Sequence, residues 1–141
     1  MAFFVDANIV VYAGSDGPQH PSCREVLLAI TEERADGRTS TAVLEEIWHI
    51  ELSRKAGDVT GLTRSTYALF TPLLPITDET VERALSLDGG RLGANDRIHV
   101  ATCALNGIDT IVSADADFDG IGGLRRVDPL DRRAVTRLLN G

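Results

Sequence analysis

Phe3-Phe4-Val5-Asp6-Ala7-Asn8 (FFVDAN) decides how this chain is read: three apolar residues meet an acid, and Ile9-Val10-Val11-Tyr12 then suits the start of a helix. A short apolar run without polar alternation fits a strand buried on both faces. Burying an unpaired charge is costly, so Asp6 needs a hydrogen-bonding partner, a helix N-terminus or a metal ion. The arrangement recurs late in the chain, where Thr110-Ile111-Val112 runs into Ser113-Ala114-Asp115-Ala116-Asp117. In a parallel sheet, functional groups gather at the carboxyl ends of the strands, near the switch in strand order. Asp6 and Asp115 therefore fall on one edge, side by side if their strands are neighbours.

Between these stretches the pattern alternates short apolar segments with helical periodicity. The turn cluster Gly14 to Pro21 gives way to a helix capped by Ser22, with Cys23, Val26, Leu27 and Ile30 at helical spacing, ending at Asp36-Gly37. Thr39-Ser40-Thr41 reads as a brief strand and a cap, followed by a helix that places Val43, Leu44, Ile47, Trp48 and Leu52 on an apolar face as far as Ala56-Gly57. A weaker helix over 59–70 stops before Pro72, and Leu73 to Ile76 is extended. Thr77 caps a helix carrying Val81, Ala84 and Leu85 inward, with Ile76 and Val81 as a hydrophobic staple. Gly89-Gly90 and Gly93 break the chain before Asn95, an N-cap candidate for a helix from Asp96 to Leu105 that stops at Asn106-Gly107. Leu124 to Val127 is a last strand and Asp131 to Leu139 a last helix. This alternation predicts an α/β fold with a parallel sheet covered on both faces.

At 141 residues, 43% hydrophobic and 25% charged, the chain suits one globular domain over 1–141, and neither a membrane span nor a secretory leader is in view. Cys23 and Cys103 are far apart and fall on apolar helix faces, as buried reduced thiols in a cytosol would. A formal charge of −7 argues against a broad electrostatic grip on nucleic acid. A nucleic-acid role therefore needs local help, from divalent cations or from arginines such as Arg125-Arg126 and Arg132-Arg133; Lys55 is the only lysine.

Each acid has a plain structural explanation. Asp6, Asp78, Asp96 and Asp131 all stand where helix caps or first-turn residues belong. Asp115 to Gly120 imitates the start of a calcium-binding EF-hand loop, but Arg126 stands where its final Glu should be. Glu46-x-x-His49 and Asp96-x-x-His99 pair a carboxylate with a histidine one helical turn apart, as in di-iron bundles, which the strand-like segments fit poorly. Neither a GxSxG elbow nor a Walker A loop is present. His20 lies in the Gly/Pro turn, and His49 and His99 lie on helices, where surface or satisfied core positions are the ordinary reading.

Taken together, Asp6-Ala7-Asn8 after a hydrophobic strand, Val43 to Glu46 (VLEE), Gly93 to Thr102 (GANDRIHVAT) and Ile111 to Pro129 (IVSADADFDGIGGLRRVDP) resemble the PIN domain, specifically the VapC-type toxins of bacterial toxin–antitoxin modules. The resemblance spans nearly the whole chain in order. It implies a three-layer fold, a central mostly parallel sheet flanked by helices. The implied activity is a cytoplasmic, metal-dependent endoribonuclease restrained by a cognate VapB-type antitoxin, with a homodimer as a further expectation.

Carried over by position, Asp6, Glu46, Asp96 and Asp115 match the family's acids, with Asp117 as an additional one, while Asn8 and Ser113 match supporting polar positions. Asp6, Asp96 and Asp115 would hold Mg2+ or Mn2+, with Glu46 and Asp117 orienting water or a second ion. Helical periodicity does not choose between Glu45 and Glu46; the family pattern favours Glu46. Ala7 and Ser113 stand where Thr is usual. Two other classes begin similarly. A haloacid-dehalogenase-like phosphatase would show DxD at Asp6-Ala7-Asn8, and a receiver-like signalling domain would carry a late strand-end lysine that is absent here.

Overall fold

Strand β1 (Phe3–Val5) is buried at every residue. Successive strand side chains point to opposite faces, so both faces of the sheet are covered at its centre. The computed structural model describes residues 1–88 and 90–141. With β2 (Gly37–Arg38), β3 (Thr110–Val112) and β4 (Arg125–Val127), β1 forms a parallel sheet in the order β2-β1-β3-β4. The chain leaves β1 toward β2 on one side and later fills β3 on the other, so strand order reverses between β1 and β3. That is the switch point at which such sheets place their functional groups. Val5 pairs with Val112, and the Asp6 N–H donates to the Val112 carbonyl at 3.1 Å. Asp6 and Ser113 consequently leave the sheet side by side.

The helices are α1 (Ala7–Ala13), α2 (His20–Thr31), α3 (Thr41–Ser53), α4 (Leu62–Phe70), α5 (Asp78–Leu85), α6 (Ala94–Leu105) and α7 (Arg132–Asn140), with a 3-10 turn at Ala116–Phe118. Helix α2 packs on α1 and α7, while α3 packs on α4 and α6, and α5 lies against α6. The core joins Phe3, Phe4 and Val5 to Ile9, Val26, Val43, Ile47, Ile111, Val112, Phe118 and Val127. Cys23 and Cys103 lie in it as separate free thiols, which burial pushes up to about 12. Among the described residues, no helix is long and apolar enough to cross a membrane.

Several local expectations are corrected. Ser22 is not a cap: α2 begins at His20 after Gln19, because Pro21 in the first turn lacks an N–H that would have had no partner there anyway. Helix α2 also stops at Thr31, short of Asp36. Asn95 is not a cap either, since Gly93 takes that position in extended conformation and leaves the Asn95 side chain free for another role. The predicted break at Gly89-Gly90 falls in part outside the described residues, at Gly89.

The apolar faces of two helices are narrower than their periodicity predicts. On α3, Val43 and Ile47 are buried, but Trp48 is 57% and Leu52 73% exposed. On α5, Ala84 is buried while Val81 and Leu85 face solvent, although Thr77 does cap the helix in a reciprocal box with Thr80.

Past β3, the loop that carries Asp115 is anchored by Phe118, which is fully buried, and by Arg126. The Arg126 guanidinium donates to both carboxylate oxygens of Asp119 (2.8 and 3.1 Å) and to the Ser113 carbonyl (3.0 Å). Replacing Phe118 with Ala should therefore lower unfolding free energy by about 3–5 kcal/mol in urea titration. A loss below about 1 kcal/mol would show that the loop is not held by this packing.

Candidate active site

Asp6 ends β1 and opens α1. Its Oδ1 accepts the Ala7 N–H at 2.8 Å, which caps the helix, and its Oδ2 accepts from Ser113 Oγ at 2.6 Å and Asn8 Nδ2 at 3.2 Å. Ser113 Oγ in turn accepts from the Asp115 N–H (3.0 Å) and Asn8 Nδ2 (3.2 Å), and Asn8 Oδ1 accepts from the Ala114 N–H (3.1 Å). This network ties the ends of β1 and β3 together and fixes the direction of the Asp6 carboxylate. Capping and a place in the site are thus combined in one residue.

Asp6, Asn8, Glu46, Asp96 and Asp115 line one cleft of about 260 Å³, with Val11, Tyr12 and Ile50 on its apolar side. Four separate elements supply the acids: the end of β1, α3, the first turn of α6 and the loop after β3. Glu46 enters through α3, whose start Ser40 fixes by accepting the Val43 N–H at 3.2 Å. Asp96 enters through the glycine-capped start of α6. Glu45 is exposed and is not among the residues lining this cleft; with Trp48 and His49 it lines a neighbouring groove that Glu46 and Asn95 also border. Asp117 is exposed on the 3-10 turn and is not among the cleft-lining residues; its N–H donates to Asp115 Oδ1 at 2.9 Å.

Two residues of this site escaped the sequence reading. His99, read as an ordinary helical histidine, is fully buried, with Nε2 2.7 Å from Glu46 Oε1 and 3.9 Å from Asp6 Oδ1. Asn95, read as a cap, donates through Nδ2 to the same Glu46 oxygen. The available signal was spacing: Asn95, Asp96 and His99 lie within one turn of a helix. Asp6, Glu46 and His99 bring donor atoms within 4.8 Å of one another.

The electrostatics follow from crowding. Burial raises Asp6 above the ordinary carboxylate range, against the Ser113 hydrogen bond and the nearby His99. Burial also pushes Asp96 up to about 6; His99 opposes this, and the charges of Asp6, Asp115 and Glu46 add to it. In both groups loss of water is the first cause of the rise, and neighbouring negative charge adds to it.

An acid-lined cleft at the switch point of a parallel α/β sheet defines the class, and comparison with known proteins defines the family. The PIN domain profile matches residues 3–124, and the chain belongs to that family. It is 30% identical to Ribonuclease VapC7 of Mycobacterium tuberculosis over 140 residues, 96% of each chain. The fold matches a toxin–antitoxin complex from Klebsiella pneumoniae (TM-score 0.67, 22% identity, 92% of this chain and 98% of the other). It also matches VapBC2 of Rickettsia felis bound to a promoter DNA fragment (0.68, 18%, 91% and 98%). A third match is the sarcin-ricin-loop-cleaving toxin VapC20 of M. tuberculosis (0.63, 20%, 87% and 98%).

The raised Asp96 has a stability consequence. Between its ordinary value of 3.8 and about 6, the folded state binds a proton that the unfolded chain releases, so this group's contribution falls as pH rises through that window. In EDTA, Asp96→Asn should therefore melt increasingly above the wild type from pH 4 to about pH 6, with the gap levelling off above that. A difference in melting temperature that stays constant over that range would contradict the assignment.

Proposed function

We propose that this chain, as a single PIN domain over residues 1–141, is a metal-dependent endoribonuclease and the toxin of a cytoplasmic toxin–antitoxin pair. The observation that carries the reading is the convergence of Asp6, Glu46, Asp96 and Asp115 on one cleft. The relative named as a ribonuclease and the toxin–antitoxin complexes of the same fold support it.

The donor set suits a hard divalent cation, Mg2+ or Mn2+: the four acids offer oxygen ligands, and burial, with neighbouring negative charge adding to it, raises two of them above the usual carboxylate value. Asp6, Asp96 and Asp115 are the residues that would hold it. When bound, the cation supplies positive charge for the scissile phosphate and acidifies water for in-line attack. Glu46 would orient water bound to the cation or help hold a second ion. Asn8 and Ser113 hold the Asp6 carboxylate in register. Asp117 acts as an auxiliary acid beside Asp115. Val11, Tyr12 and Ile50 complete the lining of the cleft beside the acids. With a net charge of −7, RNA affinity then depends on the cation and on local arginines rather than on the whole surface.

The partners proposed are RNA as substrate and a VapB-type antitoxin protein as inhibitor, with self-association as a homodimer. Exposed Trp48, Leu52 and Tyr67 offer apolar surface for such contacts.

Asp6→Asn and Asp96→Asn should each lower RNA cleavage by at least about 100-fold, the upper end of what loss of a supporting partner costs a metal site. Both should keep wild-type circular dichroism, and EDTA should abolish wild-type cleavage. Full activity in either variant, or in excess EDTA, would sink the reading. In the same assay Glu46→Ala should lose activity and Glu45→Ala keep it; the reverse would reassign the second acid.

A further inference from the structure

We propose that His99 is a positioning residue for this metal site, holding the Glu46 carboxylate through an Nε2–H hydrogen bond and not itself binding the ion. The inference rests on the proposed metal-dependent reading and adds a residue to it. Nε2 lies 2.7 Å from Glu46 Oε1, while its 3.9 Å separation from Asp6 Oδ1 is too long for a hydrogen bond. The ring is fully buried and rests on Phe4, with centroids 5.5 Å apart, so it has little freedom to turn away.

The other ring nitrogen decides between positioning and ligation. Among the described residues, Nδ1 is buried and has no hydrogen-bond partner. A histidine that binds a metal through Nε2 carries its hydrogen on Nδ1, and that hydrogen is almost always donated to a carboxylate, carbonyl or water. Here it would be a buried donor with nowhere to go, at the cost of a lost hydrogen bond. Placing the hydrogen on Nε2 leaves Nδ1 an unpaired acceptor instead, but it puts a proton between Nε2 and the Glu46 oxygen 2.7 Å away, where two lone pairs would otherwise meet. Asn95 Nδ2 donates to the same oxygen, so Oε1 is held from two sides and Oε2 is the atom left to face the cleft. Without His99, Glu46 keeps one exposed tether on a side chain with several free torsions.

The test is a Mn2+ titration by calorimetry of the full chain, with EDTA-treated protein as the start, combined with steady-state RNA cleavage. Gln is the informative substitute, because its amide nitrogen stands as many bonds from Cβ as imidazole Nε2; Asn is one bond too short. His99→Asn and His99→Leu should weaken Mn2+ binding by about 10–100-fold, the range for loss of such a partner. The same two variants should lower kcat more than they raise KM. His99→Gln should recover most of both. In a Glu46→Gln background the His99 substitutions should add little, since the group they position has changed.

Equal Mn2+ affinity in wild type and His99→Asn would overturn the proposal, as would an undiminished His99 effect in the Glu46→Gln background. Failure of His99→Gln to recover binding, in a protein with native circular dichroism, would point to direct ligation instead. If His99→Leu does not fold, the Asn and Gln pair alone decides. Absence of Mn2+ binding in the wild type would instead defeat the metal-site reading on which the inference rests.

Discussion

Desolvation of a carboxylate at the end of the central strand, with three partly exposed acids crowded against it, is the constraint around which this molecule is organised. Asp6 is 6% exposed and Asp96 half-buried, both raised by burial, and Asp115 and Glu46 add their charges to the same cleft. Left alone, such a group destabilises the fold, because desolvated like charges are costly at any effective dielectric found inside proteins. The structure accepts that cost at one place and concentrates it there. Strand β1 and its neighbour β3 aim two of the acids from the sheet, while α3 and α6 deliver the other two from the helical layer.

The same arrangement explains the uncharged residues around the acids. Ser113 and Asn8 do not dilute the negative charge; they donate to Asp6 and fix where it points. Arg126 acts from behind, pairing with Asp119 and the Ser113 carbonyl, which stiffens the loop carrying Asp115 without entering the cleft. Asp119, drawn below the usual carboxylate range by Arg126, shows what a paired acid in this protein looks like. Asp96, without such a cation, moves the opposite way. An acid paired with a guanidinium and an acid crowded by other carboxylates thus shift in opposite directions.

The centre of the sheet was legible because β1 and β3 are short, largely apolar and uninterrupted, with Asp6 directly after the first and Asp115 three residues past the second; β2 (Gly37–Arg38) has no such signature, and the brief strand was expected at Thr39 to Thr41 instead. The four acids of the cleft were legible only as a set in order along the chain, since Asp6 and Asp96 taken alone also read as cap or first-turn residues. Asp6 turned out to be both cap and cleft residue, so the two explanations were never exclusive. What the sequence could not convey was the rotation of helices about their own axes. Periodicity placed Trp48, Leu52, Val81 and Leu85 inward, yet the core accepts a narrower arc and leaves them exposed. The same blindness hid His99, because which face of α6 meets Glu46 depends on packing between α3 and α6 rather than on local pattern. Asp117, expected as an additional acid, stands on the exposed 3-10 turn and is not among the residues lining the cleft.

The central claim is that the crowded acids form a cation site. The most direct measurement is an anomalous-difference map from crystals of the protein soaked in Mn2+. The account predicts an anomalous peak within the cleft bordered by Asp6, Asp96 and Asp115, and none there in crystals of Asp96→Asn soaked identically. A cleft without anomalous signal at saturating Mn2+, or ions found only elsewhere on the acidic surface, would contradict it.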